Sequence, residues 1–417
     1  MSLPRASRPA DEILAELDAL KQHDVRWKEG RAFTLAYYAG PDVADLGDEA
    51  YRRFSSDNAL NTDAFPSLRR IQSDVVAMAT ELLGGGPEAA GFMTTGGTES
   101  LLMAVKAARE RGRAEQNVTR PNVVLPTSAH AAFEKGCHYF GVESRRVDVR
   151  SDWRADVDAM ADVIDDDTVL VVGSAPQYPQ GVIDPIAGIA ALAAERTISC
   201  HVDACMGGMV LPYLARLGEA IPPWDFSVPG VTSISVDLHK FGYTTKGASV
   251  IVHRSRELRS HQTFVTSNWL GGTYGSSGVL GTKGGGAMAA AWAVMNHLGD
   301  EGYLRLAATA RRATLELATA IDGHPELELR APPDATIVAF GAADPGRLDV
   351  FALADELWRR GWYVDRQRPP DSLHCTVNAV HDGLIPEFVA ELHRAIDTIL
   401  AIDAAPAGTA GAYGTVE

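Results

Sequence analysis

Apolar and polar positions follow two different periods along this chain. Apolar residues at every third or fourth position predict helices near residues 11–22 and 67–83. Short apolar runs rich in β-branched residues alternate with helical stretches from about residue 90 to residue 260. This alternation is typical of a mainly parallel sheet with helices on both faces. The predicted strands lie at residues 123–125, 168–172, 198–202, 234–236 and 248–252.

A glycine-rich stretch at residues 281–286 separates this region from the rest of the chain. It opens a helical region over residues 287–297, which favours a hinge. Two later apolar runs, 336–340 and 374–378, predict strands of a small α+β domain. The last residues are mostly small, so we expect a disordered tail. The expected parts are an N-terminal segment at 1–65, a large cofactor-binding domain at 66–298, a small C-terminal domain at 299–403 and the tail at 404–417.

The composition is that of a packed globular enzyme. The chain has 417 residues, of which 46% are hydrophobic and 22% charged. Its net charge of −16 argues against binding to nucleic acid or to an anionic membrane. The four cysteines lack Cys-x-x-Cys spacing, which favours buried free thiols and predicts no metal site. Neither a signal peptide nor a long apolar span occurs, so we expect a soluble cytoplasmic protein without a membrane anchor.

Lys240 is the first candidate for chemistry. It comes just after the strand-like run 231–236, lies beside His239, and is followed by Gly242, which lets the backbone turn. Its amine is thus expected at the carboxyl end of a strand, where open α/β sheets bind ligands. A lysine becomes a nucleophile near neutral pH only where burial or charge lowers its pKa. We therefore predict a Schiff-base lysine, although most lysines are solvated surface charges.

Asp203 and a glycine-containing turn extend this hypothesis. Asp203 follows another strand-like run, and a carboxylate there can keep the pyridine nitrogen of pyridoxal phosphate protonated, as its electron-sink chemistry requires. The turn at residues 94–100 opens a helix, and its glycines allow backbone N–H groups to approach a phosphate. Each feature has an ordinary alternative, because Asp203 can satisfy backbone amides and the turn can be a helix cap. Together they favour a pyridoxal phosphate enzyme.

The residues in this order resemble the sphingosine-1-phosphate lyases, a branch of the group II pyridoxal phosphate-dependent decarboxylases. The resemblance runs from about residue 27 to the 390s. It implies an α/β fold of the aspartate aminotransferase type (fold type I), with a seven-stranded, mainly parallel sheet and a smaller α+β C-terminal domain. It also implies a homodimer with active sites at the subunit interface. The matching segments are residues 58–69, 95–100, 128–135, 173–181, 201–208, 237–247 and 271–276.

The resemblance also implies roles for individual residues. Lys240 would be the Schiff-base lysine, Asp203 would pair with the pyridine nitrogen, and His130 would stack on the cofactor ring. Lys246 and Tyr38 complete the implied catalytic set. The phosphate of the cofactor would be held by Gly97, Thr98 and His239, with Tyr274 and Ser276 contributed by the neighbouring subunit. The substrate would be met by Asn58, Asn61, Tyr38 and Lys246.

Three departures from the family pattern concern the substrate. A histidine that the family places near the substrate phosphate is Asn61 here, which removes a potential cation. The family's Ser-Gly-x-Val-Tyr stretch retains Tyr38 but has Leu35 in place of glycine. An arginine of the family is Lys283, and lysine lacks the planar fork that binds an anion through two nitrogens. A substrate that is smaller or carries a different charge is therefore an open alternative.

The geometry of the bound substrate selects the reaction in such an enzyme, because the bond that breaks is the one perpendicular to the cofactor plane. Cleavage between the α and β carbons of a 3-hydroxy-2-amino compound is a retro-aldol reaction, which gives an aldehyde and an amine. Loss of the α-carboxylate is a decarboxylation. We expect a carbon–carbon lyase acting on a phosphorylated or related 3-hydroxy-2-amino compound, and keep amino-acid decarboxylation and transamination as alternatives. A non-catalytic binding protein on the same fold is the alternative of another class.

Overall fold

The computed structural model describes residues 3–401 and residue 408. Its large domain is built on a seven-stranded sheet with the order β1-β7-β6-β5-β4-β2-β3. The neighbouring pairs β3–β2, β2–β4, β4–β5 and β5–β6 are parallel, whereas β7 runs antiparallel to both β1 and β6. The mainly parallel sheet is confirmed. The strands are β1 Ala90–Thr94, β2 Asn122–Pro126, β3 Glu143–Val147, β4 Thr168–Ser174, β5 Ser199–Asp203, β6 Ser233–Asp237 and β7 Ser249–His253.

Helices cover this sheet, and a β-hairpin follows it in the chain. Helix α4 contacts β4, β6 and β7, whereas α3 contacts β1 and β7. The hairpin pairs β8 Phe264–Thr266 with β9 Tyr274–Ser276. The helices are α1 Ala10–Leu20, α2 Pro41–Phe54, α3 Pro66–Leu82, α4 Gly97–Gln116, α5 Ala132–Phe140, α6 Val157–Val163, α7 Ile186–Arg196, α8 Leu211–Arg216 and α9 Arg256–Ser260.

A second, antiparallel sheet forms the small domain, with the order β10-β11-β13-β12. Helices α11 and α12 pack with it around a separate apolar core that includes Trp362 and Phe388. The predicted strands at 336–340 and 374–378 correspond to β11 and β13. The elements are α10 Gly286–Asp322, β10 Leu327–Leu329, β11 Ile337–Ala342, α11 Val350–Arg359, β12 Asp365–Gln367, β13 Ser372–Thr376 and α12 Ile385–Leu400.

Two strands of the large sheet have no clear signal in the sequence. Strand β3 reads Glu-Ser-Arg-Arg-Val and lies at the edge of the sheet, where its charged side chains reach solvent. Strand β1 contains Gly91, which lacks a side chain to pack. By contrast, all seven residues of β4 are buried, so its apolar run is long enough to recognise.

Helix α10 connects the two cores. Its backbone leaves the helical conformation at Gly299, where φ is 54° and ψ is −172°. Met288 and Val294, before this break, and Leu306 and Ala310, after it, belong to the core of the large domain, whereas Leu317 and Ile321 belong to that of the small domain. The predicted boundary between residues 298 and 299 falls at this break, whereas the helix passes from one core to the other between Ala310 and Ala313. The division into domains stays a prediction.

The N-terminal segment is anchored by Phe33. Its ring is fully buried and stacks on His381, with ring centres 4.2 Å apart. The N–H of Phe33 donates to the carbonyl of Tyr363, 2.9 Å away. This anchor fixes the following residues, including Tyr37 and Tyr38, against the large domain.

Two expectations concern chain segments rather than the core. Across residues 3–401 and 408, none of the helices has the length and apolar character needed to cross a membrane. Of the tail predicted at 404–417, only Gly408 is among the described residues, and its N–H donates to Asp349. The other tail residues lie outside the described residues.

All four cysteines are buried and free, as predicted.

Candidate active site

A polar stripe crosses one face of the apolar sheet at β5 and β6. The two strands are parallel, and their register places His201 opposite Ser233 and Asp203 opposite Ser235. Because side chains alternate between faces, Ser233, Ser235 and Asp237 share a face of β6. The residues between them, Ile234 and Val236, belong to the apolar core on the other side. The polar stripe therefore ends with a carboxylate at the carboxyl end of each strand, Asp203 in β5 and Asp237 in β6.

Lys240 follows the end of β6 by three residues and turns back toward it. Its Nζ lies 3.0 Å from Oδ2 of Asp237, whose side chain is 2% exposed. Gly242 allows this turn, because a Cβ there would overlap the carbonyl oxygen of Leu238. Burial opposes the charge of Asp237, but the attraction of Lys240 and His239 and a hydrogen bond from Ser249 outweigh burial and lower its pKa. Asp237 is therefore a buried carboxylate that holds the lysine amine.

Asp203 ends β5 and lies in the same cleft. Its Oδ1 accepts a hydrogen bond from the backbone N–H of Cys205 at 3.0 Å and another from the hydroxyl of Ser235 at 3.4 Å. Its side chain is directed by the turn that follows the strand, where Ala204 donates its N–H to the carbonyl of Ser235. The residue is buried. The carboxylate can thus face a cationic ligand atom while backbone and side-chain donors fix its position.

Helix α4 begins at the same edge of the sheet. Its first residue, Gly97, packs so closely that a Cβ would lie 2.8 Å from Oδ2 of Asp237 and 2.9 Å from Sγ of Cys205. Glu99 fixes the turn before it, because Oε2 accepts from the N–H and the hydroxyl of Thr95, each at 2.7 Å. Free N–H groups and the helix dipole at this terminus favour an anion. The arrangement suits a phosphate.

His239 has an unpaired buried atom that faces this region. Its Nδ1 has no hydrogen-bond partner among the described residues, while its Nε2 lies 3.7 Å from Oδ2 of Asp237. Its backbone N–H donates to the carbonyl of Ala248, which holds the residue in place. Burial lowers the pKa of His239, although Asp237 opposes the shift. A buried polar atom without a partner costs free energy, so a ligand that bonds Nδ1 is expected here.

His130 follows β2 and lies at the same end of the sheet. Its Nδ1 accepts the backbone N–H of Ala132 at 3.0 Å, which fixes the plane of the ring. Burial lowers the pKa of His130, an effect that Asp203 opposes and Lys240 reinforces. The imidazole is therefore neutral near pH 7 and offers a flat, uncharged face to the cleft.

Lys246 lies on the opposite wall of the cleft. Its Nζ donates to the carbonyl of His239 at 3.3 Å and lies 5.0 Å from the ring centre of Tyr37. Solvent reaches this side chain through the open cleft, yet the surrounding protein and the charge of Lys240 lower its pKa to about 8, against the attraction of Asp237. An amine with this pKa can both bind an anion and exchange a proton near neutral pH.

These groups line one cleft of about 520 Å³. The residues predicted from the sequence that it brings together are Gly97, Thr98, His130, Asp203, His239, Lys240 and Lys246.

The other predicted residues lie outside this cleft in the single subunit. Tyr38 lines a neighbouring cavity of about 590 Å³, where its ring packs edge-on against Trp27. Asn61 is exposed, and its Oδ1 accepts the N–H of Asp63 within its own turn. The remaining three also make local contacts: Asn58 accepts the N–H of Leu60, Tyr274 packs near Trp269, and Ser276 donates to the carbonyl of Gly278. Their roles stay predictions.

Asp237 and Tyr178 are among the cleft residues for which no role was predicted from the sequence. Asp237 was overlooked, although alternating polar residues in a strand with buried neighbours were a usable signal. Tyr178 also lines the cleft, and its hydroxyl donates to Asp365 at 3.0 Å and contacts Thr34 at 3.1 Å. Because Asp365 and Thr34 lie far from Tyr178 in the chain, no local pattern could reveal this cluster.

The donor set fits pyridoxal phosphate. The start of α4 and the unpaired Nδ1 of His239 suit its phosphate, Asp203 suits a protonated ring nitrogen, and Lys240 suits its aldehyde. Gly97 is part of the fit, because its lack of a side chain leaves the helix terminus against the strand ends.

Comparison with known proteins points the same way. The family model described as the pyridoxal-dependent decarboxylase conserved domain matches residues 2–343. The sphingosine-1-phosphate lyase of Oryza sativa subsp. japonica is 38% identical over 400 residues, covering 94% of this chain and 74% of that protein. A solved sphingosine-1-phosphate lyase of Burkholderia pseudomallei superposes with a TM-score of 0.91 at 37% identity, covering 96% of this chain and 93% of that one.

A relative with a different named activity also matches. A probable L-tyrosine/L-aspartate decarboxylase of Methanothermobacter thermautotrophicus is 35% identical over 334 residues, covering 80% of this chain and 88% of that protein.

Replacing Gly97 by alanine tests the phosphate cradle. The new Cβ would press on Asp237 and Cys205 and displace the start of α4 from the phosphate. An overlap of this kind costs about 1–3 kcal/mol, and losing that much binding free energy weakens cofactor binding roughly 5- to 150-fold. Affinity is measured by titrating the apoprotein with pyridoxal phosphate and following its visible absorbance. Gly86→Ala is the control, because a Cβ there meets nothing within 4 Å. Equal affinities for the two variants would contradict the cradle.

Proposed function

Because the chain belongs to the pyridoxal-dependent decarboxylase family, and within it to the sphingosine-1-phosphate lyase homologues, we propose that it catalyses a retro-aldol cleavage. The family makes the chain a pyridoxal phosphate-dependent lyase. The proposed substrate is a phosphorylated or related 3-hydroxy-2-amino compound, which would give an aldehyde and an amine. The observation that carries this proposal is the meeting of Lys240, Asp203, His130 and Lys246 in one cleft.

The proposed division of work assigns cofactor binding to the sheet edge. Pyridoxal phosphate, when bound, supplies an electron sink for the carbon that loses its neighbour. Lys240 would hold the cofactor covalently, Asp203 would keep its ring nitrogen protonated and His130 would cover its ring. Gly97, Thr98 and His239 would hold its phosphate.

Proton transfer is assigned to Lys246. Retro-aldol cleavage requires loss of the hydroxyl proton as the bond between the α and β carbons breaks, which leaves the aldehyde carbonyl. The amine of Lys246 has a pKa of about 8, so a useful fraction is unprotonated near neutral pH and can accept that proton. Once charged, the same amine can return the proton to the carbon that was left behind.

We assign the substrate a negative charge because two lysines other than Lys240 line the cleft. Lys135 and Lys246 both line the cleft, and neither is within salt-bridge distance of an acidic side chain among the described residues. Asn61 and Lys283 do not contribute within one subunit, because Asn61 caps its own turn and Lys283 donates to the carbonyl of Met93. The anion would therefore be met by Lys135 and, once it has accepted the hydroxyl proton, by Lys246.

Decarboxylation of an amino acid is the second candidate function. The 35% identity to the probable L-tyrosine/L-aspartate decarboxylase favours it. The same cofactor residues serve both reactions, and a substrate whose carboxylate bond stands perpendicular to the cofactor plane would lose carbon dioxide.

We also propose a homodimer in the reducing cytoplasm. The segment at residues 264–280 exposes large apolar side chains, which a second subunit would cover. Tyr274 and Ser276 lie in this segment and would reach the partner's cofactor. The four buried free cysteines support a reducing compartment. The exposed apolar residues are Phe264, Val265, Trp269, Leu270, Val279 and Leu280.

Product analysis separates the two reactions. Purified enzyme loaded with cofactor is given a pool of amino acids and phosphorylated amino alcohols, and the products are identified by mass spectrometry. An aldehyde together with an amino phosphate is expected. Lys240→Ala should yield neither product and lose the visible absorbance of bound cofactor, whereas Lys21→Ala, at an exposed lysine, should match the wild type. Carbon dioxide and an amine would instead establish a decarboxylase. Turnover by Lys240→Ala would contradict both proposed reactions.

The pH dependence of kcat tests Lys246. If its unprotonated amine is the base, kcat rises about tenfold per pH unit up to about pH 8, the pKa of Lys246, and then levels off. Lys246→Gln should lose this dependence and most of the activity. Lys246→Arg is the matched control, because arginine stays protonated and can bind an anion but cannot accept a proton. An active Lys246→Arg enzyme with a flat profile would reduce Lys246 to anion binding.

Mixing two inactive variants tests the shared site. If Tyr274 serves the partner's cofactor, Lys240→Ala and Tyr274→Ala homodimers each lack activity. After exchange of subunits, half of the dimers are hybrids and each hybrid has one intact site, so about a quarter of the wild-type activity returns. Activity is followed after mixing at equal concentrations. A mixture that stays inactive although hybrids have formed would place Tyr274 in its own subunit's site.

A further inference from the structure

Behind Asp203, four buried side chains form a continuous chain of hydrogen bonds. The Nδ1 of His201 lies 2.8 Å from Oγ of Ser233, and its Nε2 lies 3.1 Å from Oγ of Ser235. The Oγ of Ser235 in turn lies 3.4 Å from Oδ1 of Asp203. His201 and Ser235 are fully buried, and both lie in the centre of the sheet.

The carboxylate fixes the direction of these bonds. A hydroxyl has one proton, so Ser235 can donate either to His201 or to Asp203. Donation to His201 would leave the oxygen lone pairs of Ser235 facing a carboxylate, which is unfavourable in a dry interior. With Ser235 donating to Asp203, Nε2 of His201 carries the proton and donates to Ser235, and Ser233 donates to Nδ1. Both ring nitrogens of His201 and both serine hydroxyls then have a partner.

Two further observations support this direction. Burial lowers the pKa of His201 to about 4, so the ring is neutral near pH 7 and has one N–H and one acceptor, as the chain requires. The thiol of Cys205 also donates to Ser235 at 3.3 Å, and a hydroxyl oxygen that accepts two bonds becomes a stronger donor.

We propose that Ser235 and His201 are positioning residues that hold the carboxylate of Asp203 through a directed hydrogen bond, so that the proton it shares with the cofactor stays on the pyridine nitrogen. This inference rests on the proposed function, because it requires Asp203 to face that nitrogen. A carboxylate with fewer donors competes harder for the shared proton. An unprotonated ring nitrogen is a poorer electron sink, so the relay acts on the rate of bond cleavage.

Ser235→Ala removes the last donor of the relay while leaving the N–H of Cys205 on Asp203. The enzyme is reconstituted with pyridoxal phosphate labelled with ¹⁵N at the ring, and solid-state NMR reports whether that nitrogen is protonated. The resonance is expected to move toward the unprotonated range. The kcat is expected to fall about tenfold, as for the loss of one hydrogen bond to a charged group, with KM changed less than about twofold.

Three further variants keep the test sharp. Ser235→Cys retains the shape of serine but donates weakly, so it should follow Ser235→Ala. His201→Asn interrupts the relay one step earlier and should shift the resonance in the same direction, even if Ser235→Ala does not fold. Ser372→Ala is the control, because it removes a hydroxyl that is also buried, in β13 of the small domain.

The outcomes separate this inference from the proposed function. A wild-type enzyme that binds no pyridoxal phosphate overturns both. A wild-type enzyme that binds it with a protonated ring nitrogen, while Ser235→Ala and His201→Asn give the same resonance and the same kcat as Ser372→Ala, overturns the relay alone. A change in KM without a change in the resonance also overturns the relay.

Discussion

The buried ion pair between Lys240 and Asp237 is the interaction on which the rest of the site depends. A carboxylate that is 2% exposed is costly unless it is paired, and Lys240 with Ser249 supplies the pairing. The pair holds the lysine amine at the end of β6. The same carboxylate lies 3.7 Å from Nε2 of His239, which leaves Nδ1 as the ring nitrogen available to a ligand. One buried charge thus positions two groups with different tasks.

Close packing places helix α4 and strand β5 next to this ion pair. Gly97 brings the start of α4 against Asp237 and Cys205, so the positive end of the helix dipole lies beside the polar stripe. The stripe itself follows from the parallel register of β5 and β6, which aligns His201 with Ser233 and Asp203 with Ser235. A polar row inside an apolar sheet is tolerated because its members bond one another. The electrostatics of the cleft are therefore built into the sheet rather than into flexible loops.

The small domain and the N-terminal segment close the site from the other side. Tyr178 connects the cleft to Asp365 of β12 and to Thr34, and its ring stacks on His374 of β13 with ring centres 4.1 Å apart. Burial raises the pKa of Asp365, although the hydroxyl of Tyr178 opposes the shift. The chemistry thus draws on all three parts of the chain.

The sequence by itself determined the class of fold, most strands of the large sheet and the common location of Lys240, Asp203 and His130. It could do so because buried parallel strands are apolar runs whose carboxyl ends meet at one edge. Only the tertiary structure decided which polar atoms pair, as between Asp237 and Lys240 or Tyr178 and Asp365, and that Tyr38 and Asn61 lie outside the cleft of one subunit. Those outcomes depend on strand register and on contacts between residues distant in the chain, and a local pattern of side chains carries no information about either.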